Sequence, residues 1–227
     1  MSKELYRFDT LEPHESLRDR VEETIAAAII TGEMAPGEVF SAPVLAVRFQ
    51  VSATPVREAM QKLEKRGLVE IVRNKGFRVT AVSEEALRNL SEVRHYLEPQ
   101  AMAQLATRFP LAELDRVRAL ADRIVRGAAD EDLLVYLAAD KEFHLALLGY
   151  LGNPMLVEVV ADLRDRTRLV GLTSLLRTDQ LRESALEHHR LLDLLVAGDA
   201  DGARDLMHQH IGHVVGWWAG LEGSGAR

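Results

Sequence analysis

Apolar residues recur every three or four positions along most of this 227-residue chain, which is the spacing of amphipathic α-helices. The first such stretch is predicted to begin after Ser16, a helix-capping residue, and to end at Gly32. Two shorter helices follow, one capped by Ser41 and one that runs from the cap Ser52 to Gly67. The pattern therefore predicts three helices in the first third of the chain.

After Gly67 the pattern changes to short apolar runs that are typical of strands. Val69–Arg73 and Phe77–Thr80 are predicted to pair as a hairpin, because Asn74-Lys75-Gly76 between them is a turn sequence. Three helices followed by a two-stranded hairpin predict a winged helix-turn-helix, which is an architecture that reads DNA. Its core is expected at residues 15–80.

From Ser83 onward the pattern is helical and lacks a strand signal, so it predicts a bundle of six antiparallel helices. Pro99 lies inside the first of these helices and should kink it. The fourth is expected to reach about Val170, and the sixth about Trp218. The predicted starts of the six helices are Ser83, Pro110, Asp130 or Asp132, Asn153-Pro154, Asp179 and Asp201.

The whole chain is thus predicted to be mainly α, with the domain boundary at Val82-Ser83. A DNA-binding domain is expected at residues 1–82, an all-helical domain at 83–222 and a disordered tail at 223–227.

The distribution of charge supports this division, although the net charge of −7 does not by itself suggest a nucleic-acid partner. Residues 41–82 contain eight Lys and Arg against three Asp and Glu, whereas residues 83–227 contain 16 basic and 23 acidic residues. Phosphate contacts require a local basic face rather than a basic protein. The chain has no cysteine and no apolar run near its start, so a cytoplasmic location and no membrane span are expected.

The second of the two short helices is predicted to enter the major groove, with Ser52 and Thr54 near phosphates or base edges. Arg57 on this helix is the strongest candidate for a base contact, because an arginine can bind O6 and N7 of guanine together. Arg48, Lys62 and Lys65 are candidates for phosphate contacts.

Four polar residues fall on the apolar faces of three bundle helices, where an unpaired polar group would cost about 2–7 kcal/mol. Asp140 and His144 are four residues apart on the third helix, His188 lies on the fifth and His210 on the sixth. Two readings fit this pattern: hydrogen-bonded core residues, or the ligands of a divalent metal. Such oxygen and nitrogen ligands suit Zn, Ni, Mn or Fe without choosing among them. His213 also faces inward, as a supporting residue or as the ligand in place of His210.

The segment VSATPVREAMQKLEKRGLVEIVRNKGFRV resembles the DNA-binding domain of GntR-type bacterial transcription regulators. The resemblance implies that the wing tip, formed by Arg73, Lys75 and Gly76, approaches the minor groove. It also implies a two-fold dimer on a palindromic operator in double-stranded DNA. Ala53 and Pro43 stand where many relatives carry basic residues, so two possible DNA contacts are missing.

The segments DKEFHLALL, ALEHHRLLDLLVAGD and ARDLMHQHI resemble the all-helical effector-binding (FCD) domain of the FadR branch, and six helices resemble its VanR-like subgroup. The resemblance implies that Arg94 helps to bind the carboxylate of a small organic acid, although an ion pair with Glu98 competes with that reading. Arg164 and Arg168 are further candidates for that role, although an ordinary surface charge is the preferred interpretation of each. The residues implied as metal ligands are Asp140, His144, His188 and His210.

Together these observations predict an effector-responsive, homodimeric DNA-binding regulator, a repressor rather than an enzyme. One alternative is a metal-dependent hydrolase or oxygenase fused to a DNA-binding module, with Glu142 or Glu187 as the base. The sequence leaves open the metal, the effector, the operator and the dimer interface.

Overall fold

The computed structural model describes residues 16–81, 83–167 and 179–215, and within these ranges it contains nine α-helices and one small sheet. Helices α1, α2 and α3 form the helical part of the first unit. Strands β1, β2 and β3 belong to the same unit. Their bounds are Leu17–Ile30 (α1), Val39–Phe40 (β1), Ala42–Phe49 (α2), Ala53–Lys65 (α3), Val69–Val72 (β2) and Gly76–Val79 (β3).

The sheet has three antiparallel strands in the order β1-β3-β2, so the predicted two-stranded wing was incomplete. Val39 pairs with Arg78 and Phe40 pairs with Phe77, which places β1 at the edge of the hairpin. A two-residue strand is too short to show an alternating pattern, so the sequence did not reveal it. Gly76 is required here because an added Cβ would lie 2.2 Å from the Phe40 carbonyl oxygen.

The second unit is a bundle of six described helices that begins after Ser83, and the mainly α fold class is confirmed. One start differs from the predicted one, because Pro110 precedes a short 3₁₀ turn at Leu111–Glu113 instead of opening a helix. Of the two caps predicted for the third helix, Asp132 is the one used, and it accepts from two backbone N–H groups. The bounds are Glu84–Ala106 (α4), Leu114–Ala129 (α5), Leu133–Gly149 (α6), Pro154–Thr167 (α7), Asp179–Ala197 (α8) and Ala200–Val215 (α9).

Several predicted features lie outside the described residues. They are Val82 of the domain boundary, Arg168, the end of the fourth bundle helix near Val170, the end of the sixth near Trp218, and the tail at 223–227.

Each unit has its own apolar core, which is the physical basis for treating them separately. The first core packs α1 against α3 around Ile25, Met60 and Leu63. The second fills the interior of the bundle around residues such as Tyr136 and Phe143, which are fully buried. None of the helices in the described ranges combines the length and apolar character that a bilayer span requires.

Candidate functional site

Three helices of the bundle bring four polar side chains to one point in its core. Asp140 and His144 come from α6, His188 from α8 and His210 from α9, and all four are buried. One potential ligand atom from each of them lies within 4.8 Å of the others. The structure therefore assembles the set that the sequence singled out, from positions up to 70 residues apart in the chain.

The separations within this cluster match those of atoms that share a single ion. The Nε2 atoms of His144 and His188 are 3.1 Å apart, and the Asp140 Oδ1 atom lies 3.2 Å from the His188 Nε2 and 3.5 Å from the His144 Nε2. Ligands about 2.0–2.2 Å from a tetrahedral zinc ion are roughly 3.3–3.6 Å from each other. The His210 ring is 4.8 Å from the His188 ring and 5.2 Å from the His144 ring, measured between centroids.

The contacts of the His188 imidazole give a further test of whether a cation fits. The Nδ1 of His188 lies 3.0 Å from the Ala185 carbonyl, which can only accept, so Nδ1 carries the proton. The Nε2 of the neutral ring is then a lone-pair donor to a metal, yet it faces a carboxylate oxygen of Asp140. Two electron-rich atoms at 3.2 Å repel each other unless a proton or a metal ion lies between them, and a divalent metal would satisfy both.

A buried ionic network surrounds the carboxylate of the cluster. Arg164 donates from Nη1 to the Asp140 Oδ2 at 3.2 Å and from its other nitrogens to Glu98. Glu98 also accepts from the Arg94 Nε at 2.6 Å, and the Arg94 Nη1 lies 3.4 Å from the Thr167 Oγ1. The interpretation of Arg164 as a surface charge was wrong, because only 2% of its surface is exposed. The i,i+4 pair between Arg94 and Glu98 is present.

The electrostatics of the site favour the neutral forms of His144 and His210 and the ionised form of Glu98. Burial, reinforced by the charge of Arg164, holds the pKa of His144 well below its usual value, and burial lowers the pKa of His210 to about 4. Burial alone would raise the pKa of Glu98, but Arg164 and Arg94 lower it to about 2. Neutral imidazoles and ionised carboxylates are the forms that bind metals.

Little free space adjoins the cluster in this conformation. The cavity beside His144, His188 and His210 measures about 10 Å³, which is enough for about one water molecule. An organic acid would therefore require the surrounding helices to move apart.

The remaining histidines of the bundle lie outside this group of four, and His213 is buried as expected, 3.4 Å from Glu187. His189 is half-buried and lies 3.2 Å from Asp122. The rings of His95 and His208 are in tilted contact, with centroids 4.3 Å apart, and the Nε2 of His95 lies 3.0 Å from the His208 carbonyl oxygen.

The surface expected to meet DNA is an exposed face of the first unit. Arg57 of α3 and the wing tip line one cleft of about 380 Å³, so the recognition helix and the wing face the same space. Lys62 differs from its predicted role, because it points toward α1 and pairs with Asp19 and Glu22 at 3.0 and 2.9 Å. The predicted DNA-contacting residues are all exposed except the half-buried Gly76: Arg48, Ser52, Thr54, Arg57, Arg73, Lys75 and Gly76.

Comparisons with known proteins agree with this architecture. The family described as "Bacterial regulatory proteins, gntR family" matches residues 17–79, and the family described as "FCD domain" matches residues 89–213. The chain belongs to the GntR family of bacterial regulatory proteins and carries an FCD domain. It is therefore a DNA-binding transcription regulator with an effector-binding domain, as predicted.

Curated relatives of the regulator span most of its length. The transcriptional repressor GlaR of Escherichia coli is 27% identical over 81% of this chain and 87% of its own. A regulator from an unstable DNA locus of Streptomyces ambofaciens is 31% identical over 81% of this chain and 77% of its own. Their names describe regulators rather than enzymes, so the prediction that the protein is not an enzyme is confirmed.

Solved structures of the same family share the fold of the regulator. The structure of McbR from Escherichia coli superposes with a TM-score of 0.70 at 26% identity, covering 88% of this chain and 98% of that one. A GntR regulator from Rhodococcus gives 0.68 at 26% identity, covering 90% and 98%.

Proposed function

We propose that this regulator is a metal-containing repressor that binds a palindromic operator as a homodimer and responds to a small carboxylate bound beside the metal. The main observation in support of a metal is the buried Asp140, whose Oδ1 faces the Nε2 of His188. His144 and His210 would complete the ligand set. The metal would supply a Lewis-acidic position for an anionic ligand.

The charges around the site support an anionic effector. Within the described bundle the buried charged residues are Glu98, Asp140, Glu187, Arg94 and Arg164, which together carry a net charge of −1. A divalent metal with neutral histidines changes this to +1, and one carboxylate restores neutrality. Because uncompensated charge in a protein core is costly, a metal-loaded bundle should bind a monoanion in preference to a neutral molecule.

Arg94 is the proposed partner of the effector carboxylate. Its guanidinium lies in the same network as Asp140, through Glu98 and Arg164, and its Nη1 makes a long contact to Thr167 at 3.4 Å. An arriving carboxylate would offer this nitrogen a shorter, charge-assisted hydrogen bond. The small cavity implies that effector binding also shifts the helices that line it.

The DNA-bound state is proposed to use the exposed α3 and the wing. Arg57 would contact a base edge, and the wing tip would lie toward the minor groove. A single recognition helix reads few base pairs, which supports a two-fold dimer on a palindrome. Repression is supported by the names of GlaR and of RspR from Escherichia coli, which is 24% identical over 88% of the chain.

Helix α7 provides a route by which the metal site would affect DNA binding. Arg164 holds Asp140, and the next residue, Asp165, lies 2.6 Å from Lys141 and 3.8 Å from Arg66 at the end of α3. A movement of α7 would thus be transmitted to the recognition helix α3 through the contact between Asp165 and Arg66. Coupling between two sites is typically about 1–3 kcal/mol.

The metal is tested by elemental analysis of purified protein and of the double variant H144A/H188A. We expect about one divalent ion per chain in the wild type and a large loss in the variant. The matched control is H189A/H208A, which removes two histidines outside the cluster. Equal metal content in all three proteins would reject the metal centre.

The effector is tested by a thermal-shift screen of small organic acids on metal-loaded protein. A ligand at 100 times its Kd stabilises the folded state by about 2.7 kcal/mol, which corresponds to roughly 5–11 °C for a chain of this size. Hits should lose their effect after chelation and in R94A. A hit that survives both changes would bind elsewhere.

A further inference from the structure

We propose that Glu187 is the positioning residue of the metal centre. Its carboxylate holds His210 in the orientation and tautomer that bind the metal, and His213 anchors that carboxylate instead of serving as a ligand. This inference rests on the proposed metal function.

The contacts of Glu187 single it out among the acidic residues near the site. It precedes His188 on α8 and is 3% exposed. Its Oε2 lies 2.7 Å from the Nδ1 of His210 and 3.4 Å from the Nδ1 of His213, one turn further along α9. Glu142, the other acidic residue considered near the ligands, is exposed and pairs with Arg123 at 2.8 Å. One carboxylate oxygen is therefore hydrogen-bonded to His210 and lies near the ring of His213 on the same helix.

The hydrogen bond from His210 determines which nitrogen is left for the metal. An ionised carboxylate only accepts, so the proton of the neutral ring lies on Nδ1 and the lone pair lies on Nε2. A carboxylate is a stronger acceptor than the carbonyl that orients His188, and it makes the imidazole a better electron donor. Glu187 should thus strengthen the His210 bond to the metal and prevent rotation of its ring.

The geometry also assigns a role to His213. The ligand atoms of Asp140, His144, His188 and His210 form one compact group, whereas His213 groups with Glu187 and His210. Its ring centroid is 6.2 Å from that of His210. If a metal were instead held by Glu187, His210 and His213, it would displace the proton that joins Glu187 to His210. The short 2.7 Å contact and the lone-pair arrangement around Asp140 favour the first group.

The test measures Co²⁺ affinity by competition with a chelator, together with the visible absorption spectrum of the bound Co²⁺. We expect E187A to weaken binding by about 10–100-fold and to shift the spectrum, because the His210 bond lengthens. E187Q retains an accepting oxygen but no charge, and should fall between E187A and the wild type. H213Q should cost less than H210Q. Glu183, an exposed residue one turn earlier on α8, gives the matched control E183A.

The outcomes separate this inference from the metal centre itself. Loss of Co²⁺ binding in H144A with wild-type affinity and spectrum in E187A would overturn only the role of Glu187. An H213Q variant as impaired as H144A would make His213 a ligand and overturn its anchoring role. Wild-type affinity in H144A would reject the metal centre. Melting temperatures of the metal-free variants show whether a loss of affinity reflects unfolding, and E187Q supplies the test if E187A does not fold.

Discussion

At the scale of single residues, the charged side chains that matter in the two units of this regulator lie in opposite environments. The arginines and lysine predicted to contact DNA are exposed, whereas the charged groups around the candidate metal site are buried and paired with one another. Exposed charges act through local potential, and buried ones require specific partners. Substitutions in the two places should therefore affect different measurements.

Arg57→Ala should remove sequence-specific DNA binding with no change in folding. Loss of a bidentate base contact costs about 1–3 kcal/mol, or roughly 5–150-fold in affinity per site. Fluorescence anisotropy on an operator selected in vitro measures this, with Arg123→Ala on the exposed surface of α5 as the control. Equal affinity of both variants for the selected site would contradict the assignment.

The lowered pKa of His210 predicts a loss of stability in mild acid. Its pKa is about 4 in the folded protein and about 6.5 when exposed, so between these values the unfolded chain binds a proton that the folded chain does not. The free energy of unfolding of metal-free protein should therefore decrease as the pH falls from 6.5 to 4, by about 2 kcal/mol at pH 5. Glu98 and Glu187, with pKa values of about 2, add a further loss as the pH falls below 4.5.

Urea denaturation of chelator-treated protein at pH 7.5 and pH 5 measures the histidine contribution. His210→Gln should reduce the difference in unfolding free energy between the two pH values. The exposed His208 supplies the control His208→Gln. A difference that stays the same in His210→Gln would assign the acid sensitivity to another group.

At the scale of elements, capping residues in the sequence predicted where several helices begin. The sequence did not predict how the helices contact one another. Ser16 caps α1, with its Oγ accepting from the Asp19 backbone N–H, and Ser83 caps α4 in the same way. These caps act over three residues and are visible in the sequence. The close approach of α5 and α6 has no such signal, because it depends on Gly127 meeting the backbone of Tyr136 on the next helix.

Gly127→Ala should destabilise the bundle by about 1–3 kcal/mol. An added Cβ would lie 2.6 Å from the Tyr136 backbone nitrogen, so the two helices must separate. Gly212→Ala in α9 is the matched control, since its Cβ would meet nothing within 4 Å. It should be neutral or stabilising by about 0.5–1 kcal/mol. Chemical denaturation compares the two, and equal effects would argue against the close packing of α5 on α6.

At the scale of the whole molecule, the two units are connected by an ion pair as well as by the polypeptide chain. Arg66 lies at the end of α3, pairs with Glu22 at 3.0 Å, and approaches Asp165 on α7 of the bundle. Asp165 follows Arg164, which holds the candidate ligand Asp140. Adjacent residues of one helix thus contact the candidate metal cluster and the DNA-binding unit.

Asp165→Asn should weaken the link between metal loading and DNA affinity. The ratio of operator affinities with and without metal is expected at about 5–150 for the wild type, and it should approach one in the variant. Asp162→Asn, which removes an exposed carboxylate on the same helix, should leave the ratio unchanged. If both variants keep the wild-type ratio, α7 does not carry the coupling through Asp165.

The sequence by itself determined the mainly α fold, the winged helix-turn-helix and the four polar residues on inner helix faces, because helical periodicity, caps and turns act over a few neighbouring residues. It missed the edge strand β1 and the buried state of Arg164. Arg164 is an ordinary charged position along α7, and only the packing of α7 against α4 and α6 brings it to Glu98 and Asp140. The tertiary structure likewise decided that Glu187 meets His210 and His213. Contacts between residues 23 or more positions apart depend on how helices pack, and local patterns do not encode that arrangement.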